Sequence, residues 1–240
     1  MKVDILAIGI HPDDVELSAS GTLLRQNALG YSFGLLDLSM GELGSRGTAD
    51  LRAQEAKAAA DILGAAFRRQ LDIPDGFFVY SPENMRKIIR ELRFYRPEIV
   101  LCNAPDDRHP DHGRAAKLVA DACFYAGLIK IETAAEDGAP QEKWRPRAVY
   151  HYIQDKQLNP DFIVDITPYF DQKMRAIMAF KSQFYGGSNS EGPETPISGK
   201  DFIHFMEAKA RVFGRPAQVQ YAEGFIHTRT PAINNLFDLL

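Results

Sequence analysis

The sequence lacks several features that would place it in a class at once. Its 240 residues include only two cysteines, Cys102 and Cys123, too few for a disulfide framework, and both are expected to be buried free thiols. With a net charge of −4 and no basic tract, a nucleic-acid partner is disfavoured. No apolar run approaches the ~20 residues that span a membrane, and no signal-peptide pattern is seen. We therefore expect a soluble cytoplasmic protein.

Three common binding and catalytic signatures are also absent. After the first predicted strand the chain reads GIHPDDVE instead of GxGxxG, which disfavours a dinucleotide cofactor. Neither a GxxxxGK[ST] loop nor a GxSxG nucleophile elbow occurs. The glycine-rich stretch GELGSRGT, residues 41–48, lacks the P-loop lysine and is predicted to be a mobile substrate loop.

The order of predicted elements indicates an α/β fold. Strands and helices alternate through the first half, with strands predicted at 3–10, 31–38, 67–72 and 98–103 and helices at 14–29, 49–63, 82–95 and 113–126. This alternation predicts a Rossmann-like, doubly wound, mostly parallel sheet with helices on both faces. We treat residues 1–240 as a single domain.

The second half is less regular and adds C-terminal strands and helices. Strands are predicted at 148–153, 162–166 and 217–226, and helices at 168–181 and 201–213. Residues 186–200 show neither the helical nor the strand periodicity of apolar residues and are predicted to be a loop. A loop of this length in a compact domain is usually functional or disordered.

Two histidine- and aspartate-rich clusters follow predicted strands. HPDD, residues 11–14, follows the first strand, and DDRHPDH, residues 106–112, follows the fourth. Taken alone, a histidine at a strand end is usually structural, and an aspartate there is usually a helix N-cap. Ligands of doubly wound folds, however, bind beyond the carboxyl ends of the strands. Histidine and carboxylate are also the ligand types of a catalytic zinc ion. The pair of clusters therefore favours a metal site.

The two clusters together resemble a known family. HPDD paired with RHPDH is similar to the PIG-L/LmbE family of zinc-dependent N-acetylglucosamine deacetylases. The stretches DLSMGELGSRGTADLRAQEA, LDIPDGF, AFKSQFYGGS and YAEGF resemble the subgroup that deacetylates N-acetylglucosaminyl-malate in bacillithiol biosynthesis. The resemblance runs from residue 3 to about residue 225, nearly the whole chain.

This resemblance implies roles for both clusters. The implied metal ligands are His11, Asp14 and His112. Asp13 is the implied general base, and His109 would stabilise the oxyanion or protonate the leaving amine, oriented by Asp111. The implied metal is Zn²⁺, although Fe²⁺ or Co²⁺ also suits histidine and aspartate ligands.

Substrate contacts are implied less directly. Arg52 falls where the family has an arginine that meets a substrate carboxylate; the alternative is a salt bridge to Glu55. Arg46 is a second candidate, because guanidinium binds carboxylates bidentately. His151 is predicted to line the sugar pocket, with a structural role as the alternative. Gln183 and Tyr185, which follow a predicted helix, are expected to reach the cleft and contact the substrate.

Two further positions bear on the site. Some relatives carry an oxyanion-binding tyrosine near the start of the penultimate helix, where this chain has Asp201 and Phe202. Tyr185 is a candidate replacement. Arg108 is predicted to support the site by pairing with Asp13 or Asp106.

Several functional alternatives remain open at this point. The leading prediction is deacetylation of a small anionic sugar conjugate, with a small-molecule partner and a homo-oligomer, suspected from the resemblance to be a hexamer. A general N-acetylglucosamine or chitooligosaccharide deacetylase, or a mycothiol-type amidase, keeps the same metal. A non-catalytic metal- or sugar-binding module is disfavoured, because all the expected catalytic residues are present.

Overall fold

A computed structural model describes residues 1–184 and 193–239. These ranges contain seven strands and seven α-helices. In chain order they are β1 (Ile5–Gly9), α1 (Asp14–Ser18), α2 (Ser20–Ala28), β2 (Phe33–Asp37), α3 (Ala49–Leu63), β3 (Arg68–Gln70), α4 (Pro82–Tyr95), β4 (Ile99–Cys102), α5 (Pro110–Ala126), β5 (Ala148–Tyr152), β6 (Phe162–Asp165), α6 (Phe170–Ile177), α7 (Lys200–Gly214) and β7 (Ala222–His227).

All seven strands form one sheet in the order β3-β2-β1-β4-β5-β7-β6. The first five are parallel, and β7 runs antiparallel to both of its neighbours. The chain moves outward from β1 to β3 and then restarts on the other side of β1 with β4. This confirms the predicted doubly wound α/β fold and makes the carboxyl ends of β1 and β4 neighbours.

Both faces of the sheet are covered by helices, as expected for parallel strands that are buried throughout. Successive side chains of a strand point to opposite faces. Leu6 and Ile8 of β1 accordingly pack with α4 and α5, whereas Ile5 and Ala7 pack with α1, α2 and α3. The two apolar layers fix β1, and therefore the HPDD segment that follows it. Within the described residues no helix is both long enough and apolar enough to cross a membrane.

The helix predicted over residues 14–29 is interrupted at Ala19, where φ is −140°. A distant carboxylate explains the interruption. Glu223 on β7 accepts hydrogen bonds from the backbone N–H groups of Gly21 and Thr22, at 3.0 and 2.7 Å, in the first turn of α2. An acidic side chain is favourable at a helix N-terminus, and Lys173 pairs with the same carboxylate at 2.6 Å. This buried group therefore holds the start of α2, which follows directly on α1 and its residue Asp14.

Glu223→Ala is expected to lower the free energy of unfolding by about 3–5 kcal/mol, because it leaves the buried Lys173 ammonium without its carboxylate. Glu207→Ala is the matched control: Glu207 pairs with Arg211 on the exposed side of α7, and its loss should cost less than about 1 kcal/mol. Chemical denaturation of both variants checks this. Equal destabilisation would contradict the role given to Glu223.

Other boundaries also differ from the prediction. The helix expected from residue 113 begins at Pro110, because the His109 ring accepts the N–H of Asp111 and caps it. The third strand is shorter than predicted. The helix predicted over 168–181 ends at Ile177 and is preceded by a 3₁₀ turn. The last strand begins at Ala222, since a 3₁₀ turn occupies residues 215–217.

The long segment predicted over 186–200 is covered only in part. Residues 185–192 lie outside the described residues. The prediction that Tyr185 supplies an oxyanion contact concerns one of them and stays a prediction. Residues 193–199 form neither helix nor strand, and α7 follows directly.

Candidate active site

The two clusters meet at the carboxyl edge of the sheet. His112 Nε2 lies 3.1 Å from Asp14 Oδ1, and His11 Nδ1 lies 3.8 Å from Asp14 Oδ2. All three residues are at least nine-tenths buried. The three residues predicted to ligate a metal are therefore adjacent, with Asp14 between the two imidazoles.

Carboxylates on the far side of each ring fix its orientation. His11 Nε2 lies 3.0 Å from Asp75 Oδ1 and 3.3 Å from Asp111 Oδ2. His112 Nδ1 lies 2.6 Å from Asp107 Oδ2. A carboxylate accepts only, so these nitrogens carry protons. His11 Nδ1 and His112 Nε2 are the nitrogens left to face Asp14. Such pairs are the usual outer support of metal-bound histidines.

Amide groups at the ends of β4 and β5 hold the Asp14 carboxylate in place. Asn103 Nδ2 and Gln154 Nε2 donate hydrogen bonds to it at 2.9 and 3.1 Å, and the backbone N–H of His11 donates at 2.9 Å. Sequence reasoning did not identify Asn103 or Gln154. Their position could have identified them, because each follows a strand at the same edge of the sheet as the two clusters.

The electrostatics of the cluster suit a cation. Burial lowers the pKa of His11, but hydrogen bonds to Asp111 and Asp75 outweigh it and raise that pKa to about 10. For His112, burial is likewise outweighed by Asp14 and Asp107, and the pKa rises to about 9. Positive charge is thus stable on both sides of Asp14. Metal binding displaces protons from ligand nitrogens, so the donor set His11, Asp14 and His112 fits a divalent metal ion.

Two groupings of potential ligand atoms, each with all atoms within 4.8 Å, occur in the described residues, and neither of them includes Asp14. One combines His11, His109 and His112, and the other combines His11, Asp75 and Asp111. Both share His11 with the predicted set, so every grouping lies at the same place in the fold.

Asp75 is a site residue that the sequence analysis does not identify, although it lies in the LDIPDGF stretch that carries the family resemblance. Its Oδ1 accepts from His11, and its Oδ2 accepts the backbone N–H of Leu43 at 3.0 Å. Since both partners donate, only a carboxylate can satisfy both. Asp75 thereby links a metal-ligand candidate to the glycine-rich loop, residues 41–48.

Asp75→Asn is expected to weaken metal affinity by about 10–100-fold, because an amide offers one acceptor where two donors converge. The matched control is Asp72→Asn in the same loop, where the carboxylate is exposed and pairs with Lys87. Competition with a chromogenic chelator measures both variants. Equal affinities would show that Asp75 does not support His11.

Asp13 lies in a backbone conformation that most residues avoid. Its φ is +125°, its side chain makes no capping hydrogen bond, and its carboxylate meets Arg52 Nη2 at 3.2 Å. Strain of this kind is concentrated at functional sites. Burial raises the pKa of Asp13, against the opposing charge of Arg52. The Asp13 carboxylate therefore lies beside the three predicted metal ligands and is not one of them.

Arg52 is held within the site. Besides Asp13, it donates to the carbonyls of Pro12 and Gly41, each at 3.1 Å. The alternative salt bridge to Glu55 is wrong, because Glu55 binds Ser182 instead. A Cβ on Gly41 would lie 2.3 Å from the Arg52 guanidinium. The glycine-rich loop therefore packs on this arginine, while its contact with a substrate carboxylate stays a prediction.

His109 faces the same space from the start of α5. Its Nδ1 accepts the backbone N–H of Asp111 at 3.3 Å, which leaves the ring proton on Nε2. Burial lowers the pKa of His109, and the neighbouring His11 and His112 lower it further. The Asp111 carboxylate lies against His11 and Arg114 instead of His109. Asp111 thus contacts His109 through its backbone.

A cavity of about 380 Å³ opens onto this cluster. Arg46, Arg52 and Gln183, three of the residues predicted to contact the substrate, line it. His151 does not; it is buried and donates from Nδ1 to the carbonyl of Asn103 at 2.7 Å. The structural alternative for His151 is therefore the better one.

The predicted partners of Arg108 are also wrong. Arg108 lines the cavity but pairs with Asp155, whereas Asp106 pairs with Lys156. Asp155 follows β5, and its proximity to the loop after β4 depends on strand order, which the local sequence does not carry.

Comparison with known proteins places this site in a family. A model described as PIG-L, GlcNAc-PI de-N-acetylase, matches residues 6–123. A diacetylchitobiose deacetylase of Thermococcus kodakarensis is 30% identical over 230 residues, covering 92% of this chain and 81% of that protein. The solved structure of a conserved protein from Thermus thermophilus has a TM-score of 0.85 and 35% identity, and the match covers 98% of each chain.

More distant relatives differ in what they act on. A 4-oxalmesaconate hydratase of Pseudomonas putida is 29% identical over 196 residues, covering 74% of this chain and 73% of the relative. A probable N-acetyl-alpha-D-glucosaminyl L-malate deacetylase 2 of Bacillus anthracis is 24% identical over 203 residues, covering 75% and 81%. The family model spans both histidine- and aspartate-rich clusters, and the deacetylase of Thermococcus kodakarensis is 30% identical over most of both chains. The chain therefore belongs to the PIG-L family and is a hydrolase of its deacetylase class.

Proposed function

We propose that the enzyme removes the acetyl group from the N-acetylglucosamine unit of a small conjugate. The observation that carries this proposal is the Asp13 carboxylate, held in a strained backbone beside the His11, Asp14 and His112 donor set at the cavity. Amide hydrolysis needs an activated water, a polarised carbonyl and a proton for the leaving amine. The residues supply a group for each of these needs.

The protein's side chains divide the work. When bound by His11, Asp14 and His112, a divalent metal ion lowers the pKa of water and polarises the acetyl carbonyl; we propose Zn²⁺ as that ion. Asp13 accepts the proton of the attacking water on its carboxylate. His109 donates from Nε2 to the oxyanion that develops on the acetyl group, a contact of the kind that typically contributes ~10²–10³ in rate.

The leaving amine must depart protonated. Asp13 holds the proton that it took from water and can return it to the glucosamine nitrogen, which is general acid–base catalysis by one group acting twice. Arg52 keeps the Asp13 carboxylate in place through its hydrogen bond of 3.2 Å. Arg52 therefore orients the base, Asp13, while the substrate is bound.

For the group attached to the sugar, we propose malate, as the sequence predicts. Four cationic side chains line the cavity, and these are Arg46, Arg52, Arg108 and Lys209. Such a wall is suited to a carboxylate. The relative from Bacillus anthracis, described as acting on the malate conjugate, supports this choice.

A second candidate is a chitooligosaccharide. The rings of Phe202 and Phe205 line the cavity beside Met206, and flat apolar surfaces of this kind suit the face of a second sugar ring. The relative from Thermococcus kodakarensis, described as a diacetylchitobiose deacetylase, supports this alternative.

Free-amine release from N-acetylglucosaminyl-malate and from N,N′-diacetylchitobiose separates the two. We expect turnover of both, with a higher kcat/KM for the malate conjugate. A preference for the disaccharide would select the second candidate, and release from neither would contradict the proposed function.

A further inference from the structure

The four cations that line the cavity differ in their partners. Arg52 pairs with Asp13, and Arg108 pairs with Asp155. Arg46 donates to the carbonyls of Ser182 and Pro193, among its contacts. Each arginine is thus already engaged by other groups of the protein.

Lys209 is placed differently. Its Nζ donates to the neutral carbonyl of Ile153 at 2.9 Å, and within the part of the chain that the structure describes no carboxylate lies within 4.0 Å of it. The nearby charges are those of Asp107, Asp155, Glu223 and Lys173. Lys173 is already paired with Glu223, and Asp107 and Asp155 are paired with His112 and Arg108.

The position of Lys209 on α7 directs it to the cavity. Phe202, Met206 and Lys209 are spaced by three or four residues, so they share one face of the helix, and all three line the cavity. The Phe213 ring lies beside the side chain, with its centroid 5.9 Å from Nζ. Burial lowers the pKa of Lys209 to about 7, and the charge of Lys173 adds to the effect. A carboxylate that reaches this largely buried amine favours its charged form, and little water screens the attraction between the two groups.

We propose that Lys209 is a specificity-determining residue that binds the carboxylate of the group attached to the substrate's sugar. This inference rests on the proposed function and deepens it. The carboxylate lies against α7, on the wall formed by Phe202 and Met206. Lys209 thereby selects anionic conjugates over neutral ones, and acetyl hydrolysis proceeds elsewhere, at Asp13.

Lys209 also offers a cleaner test of anion recognition than Arg52. Removing Arg52 takes away the partner of Asp13, the proposed base, so both binding and chemistry change. Among the described residues, Lys209 has no hydrogen bond or ion pair with a catalytic group, and its Nζ donates to Ile153. Its replacement should affect KM for one class of substrate and leave kcat in place.

Lys209→Met keeps most of the side-chain length and removes the charge. We expect its KM for N-acetylglucosaminyl-malate to rise about tenfold or more, the effect of losing one charge-assisted hydrogen bond. Its kcat for that substrate and both constants for N,N′-diacetylchitobiose should stay within about threefold of wild type. Lys209→Arg, which retains the charge, should recover the preference for the malate conjugate. Arg211→Met is the matched control, since Arg211 lies on the exposed face of α7 with Glu207.

Each other outcome overturns the proposal. Equal changes with both substrates, no change with either, or a Lys209→Met variant that retains the preference would show that Lys209 does not bind the carboxylate. If Lys209→Met fails to fold, loss of the preference in Lys209→Arg would carry the same meaning. Wild-type turnover of the disaccharide alone would overturn the role of Lys209 and leave deacetylation standing, whereas turnover of neither substrate would overturn the proposed function itself.

Discussion

Asp13→Asn is expected to lower kcat by about 10²–10⁴-fold, because the amide cannot take a proton from water. The substitution is nearly isosteric, and asparagine tolerates positive φ better than most residues, so the backbone at φ +125° should be preserved. The amide oxygen can still accept the hydrogen bond from Arg52. The variant therefore removes the proton-accepting function with little change in shape.

Metal affinity separates this effect from damage to the site. Asp13 is not among the three predicted ligands, so Asp13→Asn should bind Zn²⁺ with an affinity within about threefold of wild type. Turnover close to wild type would refute Asp13 as the base. A parallel loss of metal would show instead that Asp13 acts as a ligand.

His112→Ala is expected to have the second large effect, a loss of metal affinity of about 100-fold or more together with loss of turnover. His112 supplies one of only three predicted protein ligands, and removing it also leaves the buried Asp107 carboxylate without its partner at 2.6 Å. Competition with a chromogenic chelator and amine release measure the two losses in one preparation.

His204→Ala is the matched control for this substitution. His204 is exposed on α7 and does not line the cavity, so neither affinity nor turnover should change. If His112→Ala bound Zn²⁺ as tightly as the control, the assignment of His112 as a ligand would be refuted.

The fold and the centre of the site could be predicted because their signals are local. Alternating strands and helices indicated the doubly wound sheet, and HPDD and DDRHPDH each followed a strand. The rule that ligands bind at the carboxyl ends of such strands then placed the clusters together. The two clusters do meet in the structure, where His112 Nε2 lies 3.1 Å from Asp14 Oδ1.

The features that the sequence does not predict depend on contacts between distant parts of the chain. The break at Ala19 requires Glu223, about 200 residues away, and the position of β7 between β5 and β6 follows from pairing that no short stretch encodes. The support of His11 by Asp75 crosses 64 residues. Sequence patterns report periodicity and local turns, so interactions of this kind appear only once the strands have been ordered.

The partners of charged side chains were the least predictable. The sequence predicts that Arg108 binds Asp13 or Asp106, whereas it pairs with Asp155. For Arg52 the alternative partner is Glu55, whereas the carboxylate that it binds is that of Asp13. A long side chain can reach several carboxylates, and which of them it meets depends on the strand order that brings them near, as it does for Asp155 after β5.

We propose that Asp13 and a metal held by His11, Asp14 and His112 act together on an N-acetylglucosamine amide. Free-amine release by chelator-stripped enzyme, measured with and without added Zn²⁺, tests it most directly. We expect no release from either N-acetylglucosaminyl-malate or N,N′-diacetylchitobiose without metal, and turnover when Zn²⁺ is restored. Turnover by the metal-free enzyme, or none on either substrate after Zn²⁺ is restored, would contradict it.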